Sequence, residues 1–96
     1  MITIRRLEWD AWNMEHIARH EVTTEEAEEV CFGMPVLLDS YKGRILAVGP
    51  TIAGRMLAVA LDPEPGEQGA CYPVSARPAS RRERQRYVET RGGEQA

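Results

Sequence analysis

Six arginines fall between Arg77 and Arg91, and two histidines, His16 and His20, stand four residues apart near the other end of the chain. Arginine keeps its charge at every working pH, and its planar fork grips phosphate oxygens in pairs. Histidine is the usual proton carrier near neutrality. A set of this kind can hold a phosphate and move protons around it. Arg77, between an expected strand and a basic helix, is the first candidate for phosphate contact; the competing reading is a surface ion pair with the acidic helices. Arg81 and Arg84 come next, at the i, i+3 spacing of one helix face, and Arg82 and Arg86 form a second row at i, i+4. His16 and His20 share a helix face if the helix reaches that far. One of them would transfer a proton, or both are structural, His20 bonding the backbone at a helix end. Two histidines without a third ligand do not make a metal site, so no metal or cofactor is expected.

Other residues sort by similar arguments. Tyr87 either closes its helix onto the sheet or stacks on a base. Trp9 and Trp12 read as core anchors, because tryptophan buries a large area. Asp10 reads as a helix cap. Ser75 lacks the surrounding glycines of a nucleophile elbow. Arg44 and Arg55 are separated by strand register. A hairpin closed by "PTIAG" puts Gly49 opposite Arg55, so the two arginines lie about 17 Å apart at opposite ends of the sheet. The next loop, with Leu61 opposite Ala70, brings Arg55 to the same end of the sheet as Arg77, and a one-residue slip decides whether the two share a face. Arg55 therefore joins the candidate site and Arg44 does not.

The elements that must position these groups can be read along the chain. "ITIRRL" (2–7) alternates like a strand. Asp10 opens a helix over 11–19, and Thr23 with Glu26 has the capping-box spacing for a second helix, which Gly33 and Pro35 end near Phe32. Residues 35–41, 44–49, 55–61 and 70–76 are apolar, of strand length, and joined by short turns, which favours an antiparallel meander. The segment 55–61 is apolar on both alternating faces and belongs at the centre of the sheet. Pro73 cannot donate to a ladder, so an edge or a bulge is expected there. Ser80 and Glu83 cap a last helix running to about Glu89, followed by a frayed tail over 91–96. That helix carries almost no apolar stripe beyond Tyr87 and Val88, so RNA or a protein partner explains it better than the core does.

Composition sets the bounds. Ninety-six residues, 43 % hydrophobic and 28 % charged, make one ordinary globular domain, here taken as residues 1–90. No apolar run is long enough for a membrane span, and no secretory pattern opens the chain, so a cytoplasmic protein is expected. Cys31 and Cys71 sit among apolar residues and read as buried reduced thiols. The net charge of −3 hides an asymmetry: residues 77–91 hold six Arg and two Glu, a net +4, so the remainder carries −7. Much of that lies between Glu8 and Glu29. Polarity of this kind offers a basic patch to an anion, with phosphate the obvious candidate.

Three segments in this order, "EWDAWNMEHIARHEV" (8–22), "TTEEAEEV" (23–30) and "VSARPASRRERQRYV" (74–88), resemble the BrnT family, the toxins of BrnT/BrnA type II toxin–antitoxin pairs. The resemblance covers residues 7 to 88. It implies an α+β, RelE-like fold, an antiparallel meander with two N-terminal helices and one C-terminal helix, and a small metal-independent endoribonuclease. It also implies a ribbon-helix-helix, BrnA-like antitoxin that covers the toxin and contacts DNA, so that DNA is met only indirectly. Under this reading Arg77, Arg55, His16 and His20 are catalytic candidates. Arg81, Arg84 and Tyr87 are RNA contacts, and Arg82 and Arg86 are antitoxin contacts. The chain departs from the family pattern by lacking a lysine soon after Trp9-Asp10 and by carrying Glu21 where a glycine is usual. Glycine suits a left-handed helix end, so Glu21 must accept strain or adopt another geometry. A catalytically inactive module of the same fold, binding RNA or a partner protein, is the second reading.

Overall fold

The computed structural model describes residues 3–95. It is an α+β fold with three helices and a five-stranded, mostly antiparallel sheet. Strand β1 is Arg6–Leu7, followed by helices α1 (Ala11–Ala18) and α2 (Thr24–Phe32). Strands β2 (Val36–Asp39), β3 (Ile45–Pro50), β4 (Met56–Pro63) and β5 (Ala70–Pro78) come next, and helix α3 (Arg81–Gln95) ends the chain. The strand order is β1-β5-β4-β3-β2, so β2 to β5 form the expected antiparallel meander with β4 at its centre. β1 adds to β5 in parallel and spans two residues rather than the six expected; of those six, Ile2 lies outside the described residues.

Each helix starts with a reciprocal cap. Asp10 accepts from the Asn13 amide while the Asn13 side chain takes the Asp10 amide, and Thr23 with Glu26 does the same for α2. Ser80 and Glu83 repeat the pattern before α3, at 2.8 and 3.1 Å. These satisfy main-chain donors that a helix start leaves open.

The sheet is covered on both faces. Leu57, Val59 and Leu61 of β4, with Ala47, Cys71 and Ala76, meet Ile17, Val22, Ala27 and Val30 from the α1 and α2 side to form the core. The alternate residues Val36, Val48 and Ala58 are buried on the opposite face, where α3 packs against β2 and β3. α3 turns Glu83, Tyr87 and Arg91 inward, each partly buried at successive i+4 positions, while Val88 is 64 % exposed. The stripe holding this helix is thus mostly polar. It is also longer than the sequence predicts, continuing through the expected tail to Gln95, with Ala96 outside the described residues. Arg91 accounts for part of the extension, donating from Nη2 to the Met34 and Pro35 carbonyls.

The register differs from expectation by two residues in the first hairpin. Gly49 faces Leu57 rather than Arg55, because the ladder continues to Pro50 and Met56 and the turn falls one residue later, over 51–55, where Arg55 donates its amide to the Thr51 hydroxyl at 3.0 Å. Gly54, at φ +92°, supplies the left-handed residue that this turn requires. The second hairpin shifts further: Leu57 faces Pro78, and the pairing then jumps so that Ala60 faces Ser75 and Leu61 faces Pro73. Val74 is the extra residue of a β-bulge beside Pro73, as its missing donor requires. Both cysteines are buried and unbridged, and burial pushes the Cys31 thiol up to about 12. Among the described residues no helix is long and apolar enough to cross a membrane.

Candidate nucleic-acid interface

One end of the sheet gathers most of the groups singled out above. It carries the β3–β4 turn, the end of β5, the first turn of α3 and the α1–α2 junction. Arg55 sits there and reaches across to the junction. Its Nη1 donates to the Glu21 carbonyl at 2.6 Å and to both Glu26 oxygens at 3.2 and 3.3 Å, and its Nη2 donates to the His20 carbonyl at 3.4 Å. Arg44 lies at the other end, against Asp62 at 3.7 Å, so the separation read from the hairpin stands despite the register shift.

The junction explains the work of Arg55. Val22 N–H donates to the Ile17 carbonyl and Glu21 N–H to the Ala18 carbonyl, the paired bonds of a Schellman helix end. Ile17 and Val22, the apolar partners of that motif, are both in the core. Glu21 occupies the left-handed position at φ +59°, so it takes the strained geometry rather than another. A non-glycine residue there costs about 1–2 kcal/mol, and Arg55 stabilises the turn by binding its carbonyl groups. Glu21→Gly relieves the strain but frees the unfolded chain, so a net gain of about 0.5 kcal/mol is expected in chemical denaturation.

Arg77 is at the same end but on the other face. It pairs with Ala58 in the ladder, on the α3 side, whereas the Arg55 side chain turns to the α1 and α2 side. Its two terminal nitrogens meet the two Glu83 oxygens at 2.8 Å each, a bidentate pair. This bond raises the Arg77 pKa and, as its largest cause, lowers that of Glu83 to about 2. Arg55 and Arg77, placed by the sequence at one end of the sheet, are therefore each matched to a carboxylate and lie on its opposite faces.

Arg81, Arg82, Arg84 and Arg86, all on the exposed surface of α3, have no hydrogen-bond or ion-pair partner among the described residues. The i+4 stripe of Glu83, Tyr87 and Arg91 faces the sheet, so Arg81 and Arg84 flank it on one side and Arg82 and Arg86 on the other. Tyr87 is thus held partly buried at the sheet. A row of cations on a helix with so little apolar grip presents a concentrated positive field.

His16 and His20 do share a face, and Trp12 joins them. Trp12 and His16 stack with ring centres 4.9 Å apart and 7° between planes, and His20 stands edge-on to His16 at 6.2 Å. Trp12 is 56 % exposed, which corrects its reading as a core anchor. The helix face that meets β5 is taken by Asn13 and Ile17, which leaves position 12 outside. Trp9 does anchor: it packs against the core and donates its indole N–H to Glu28 at 3.1 Å. Asn13 went unrecognised as a structural group because one asparagine in "AWNM" gives no periodic signal. It is fully buried, and its amide donates to the Glu8 and Pro73 carbonyls at 2.9 and 3.0 Å.

A second surface feature is an apolar groove of about 630 Å³ beside β2, lined by Cys31, Phe32, Met34, Val36 and Leu37, with Arg91 at its rim. Met34 in it is 72 % exposed. In comparison with known proteins, no family model matches the chain, and no curated protein matches it.

Proposed function

We propose that this chain is a metal-independent endoribonuclease of the BrnT type, built on a RelE-like fold and acting in the cytoplasm. The observation that carries the reading is the row of four arginines on α3 with no partner among the described residues, beginning at the sheet end that also holds Arg55, Arg77 and the His20 turn. RNA contains its own nucleophile. The 2′-hydroxyl attacks the adjacent phosphate, the bond to the 5′-oxygen breaks, and one proton leaves the hydroxyl as another reaches the leaving oxygen. A protein that orients the backbone and neutralises the phosphate supplies much of what is needed. Arg81 and Arg84 fit the charge task, and His16 or His20 fits the proton task. A BrnA-like antitoxin would cover the basic helix through Arg82 and Arg86, and the exposed Met34 groove offers such a partner apolar area.

A second reading is a binding module of the same fold without catalysis. The bidentate hold of Glu83 on Arg77 and the ion pair of Glu26 with Arg55 Nη1 favour it, since both arginines are already neutralised. Incubation of purified protein with an unstructured RNA, with and without EDTA, separates the two. The enzyme reading expects cleavage that persists in EDTA and falls about tenfold in the Arg81→Ala/Arg84→Ala variant, whose RNA affinity also loses about two from its salt slope. Folded protein that retains RNA on a filter and leaves it intact, with and without ribosomes, would establish the binding module instead.

A further inference from the structure

Among the described residues, the exposed Trp12 and His20 rings and the half-buried His16 ring take no part in the core cluster, the helix caps or an ion pair. Tryptophan is costly to leave in water, and this one is held there in a defined orientation, its indole parallel to the His16 imidazole. The spacing 12, 16, 20 continues the ladder into the α1–α2 turn, where the His20 ring stands across the end of the stack. Asn13 fixes the helix beneath it to the chain before α1 and to β5 by three hydrogen bonds, so the platform is rigidly mounted.

The ladder also leads somewhere. The His20 carbonyl is bound by Arg55, the neighbouring Met56 carbonyl accepts the Ala79 amide at 2.9 Å, and α3 begins two residues later at Arg81. The rings of α1 and of the turn after it thus approach, from one face, the end of the sheet at which α3, with its cations that have no partner among the described residues, begins on the other. Flat rings that meet any base and charges that follow a phosphate backbone are the two components of single-strand recognition. We infer that the Trp12–His16–His20 face is a base-stacking platform for single-stranded RNA, with Trp12 as its principal residue. This rests on the RNA-binding reading above and adds to it the part of the protein that meets bases rather than phosphates.

The probe is a 2′-O-methyl RNA dodecamer, which lacks the attacking hydroxyl and stays intact, beside an abasic oligomer of equal length and charge. Wild-type protein should bind the base-bearing oligomer more tightly, with quenching of tryptophan emission. Trp12→Ala should weaken that binding about tenfold and remove most of the quenching, Trp12→Phe should keep most of the affinity, and binding to the abasic oligomer should be the same in all three. Trp12 lies outside the core, so the variants should unfold at the wild-type temperature, which the same samples can verify. Equal wild-type affinity for the two oligomers, or wild-type affinity in Trp12→Ala, would overturn the platform while leaving α3 as an RNA contact. Binding of neither oligomer would remove both readings.

Discussion

Asn13→Ala is expected to destabilise the protein by about 3 kcal/mol and to lower Tm by about 15 °C. The Asn13 side chain has no access to solvent, and each of its polar atoms is used. Oδ1 accepts the Asp10 amide, and Nδ2 donates to the Glu8 and Pro73 carbonyls. Alanine would leave three main-chain groups short of a partner, one of them in the buried stretch beside the bulge, and a cavity where the amide was. A stranded buried polar group costs about 1–3 kcal/mol, so the combined loss exceeds that of most single substitutions. Asn13→Asp is close in shape and keeps the acceptor but loses both donors, and a comparable loss is expected at neutral pH. The exposed neighbour Met14→Ala serves as the comparison, with a change within about 0.5 kcal/mol. A Tm for Asn13→Ala within 3 °C of the parent would mean that water replaces the amide.

Glu83→Gln is expected to cost about 2 kcal/mol at neutral pH and to remove part of the acid sensitivity of the protein. Glu83 closes the cap of α3 through Ser80 and clasps Arg77 with both oxygens. Its side chain is only 14 % exposed, whereas that of Arg77 is 41 % exposed and screened by solvent, which holds the value below what the pKa alone implies. The folded-state pKa is lowered to about 2 from an ordinary 4.5. The stabilisation is therefore complete above about pH 4.5 and is lost as pH falls from there towards 2. Urea denaturation between pH 7 and 2.5 should show this loss in the parent and a flatter profile in Glu83→Gln. Equal slopes would place the acid sensitivity on other carboxylates. The same variant separates the two roles of Arg77. If Arg77 contacts phosphate, freeing it from Glu83 tightens RNA binding even as stability falls; if its work is to seat α3, binding does not improve.

The local features were legible in the sequence because they depend on neighbours in the chain. Asp10, Thr23 and Ser80 cap the helices read from them, since a cap needs only a side chain two or three residues from the amide it meets. The central place of β4 followed from its doubly apolar pattern, and the irregularity at Pro73 from its missing donor. The register did not follow, because a turn of the same length can fall one residue later without disturbing the alternation in the first hairpin, and the bulge at Val74 adds an odd shift in the second.

What the sequence by itself determined is the order of elements, their caps, the α+β class and the segregation of charge between acidic N-terminal helices and a basic C-terminal one. All of these are properties of residue type and short spacing. Only the tertiary structure decided which charges remain available. Carboxylates 6 and 29 residues away claim Arg77 and Arg55, while Arg81, Arg82, Arg84 and Arg86 are left on the open side of α3. It also decided that Trp12 stands in solvent while Trp9 is packed, although the two are three residues apart and of one type. Pairing and burial depend on which elements meet, and that is settled by how the helices dock on the two faces of the sheet.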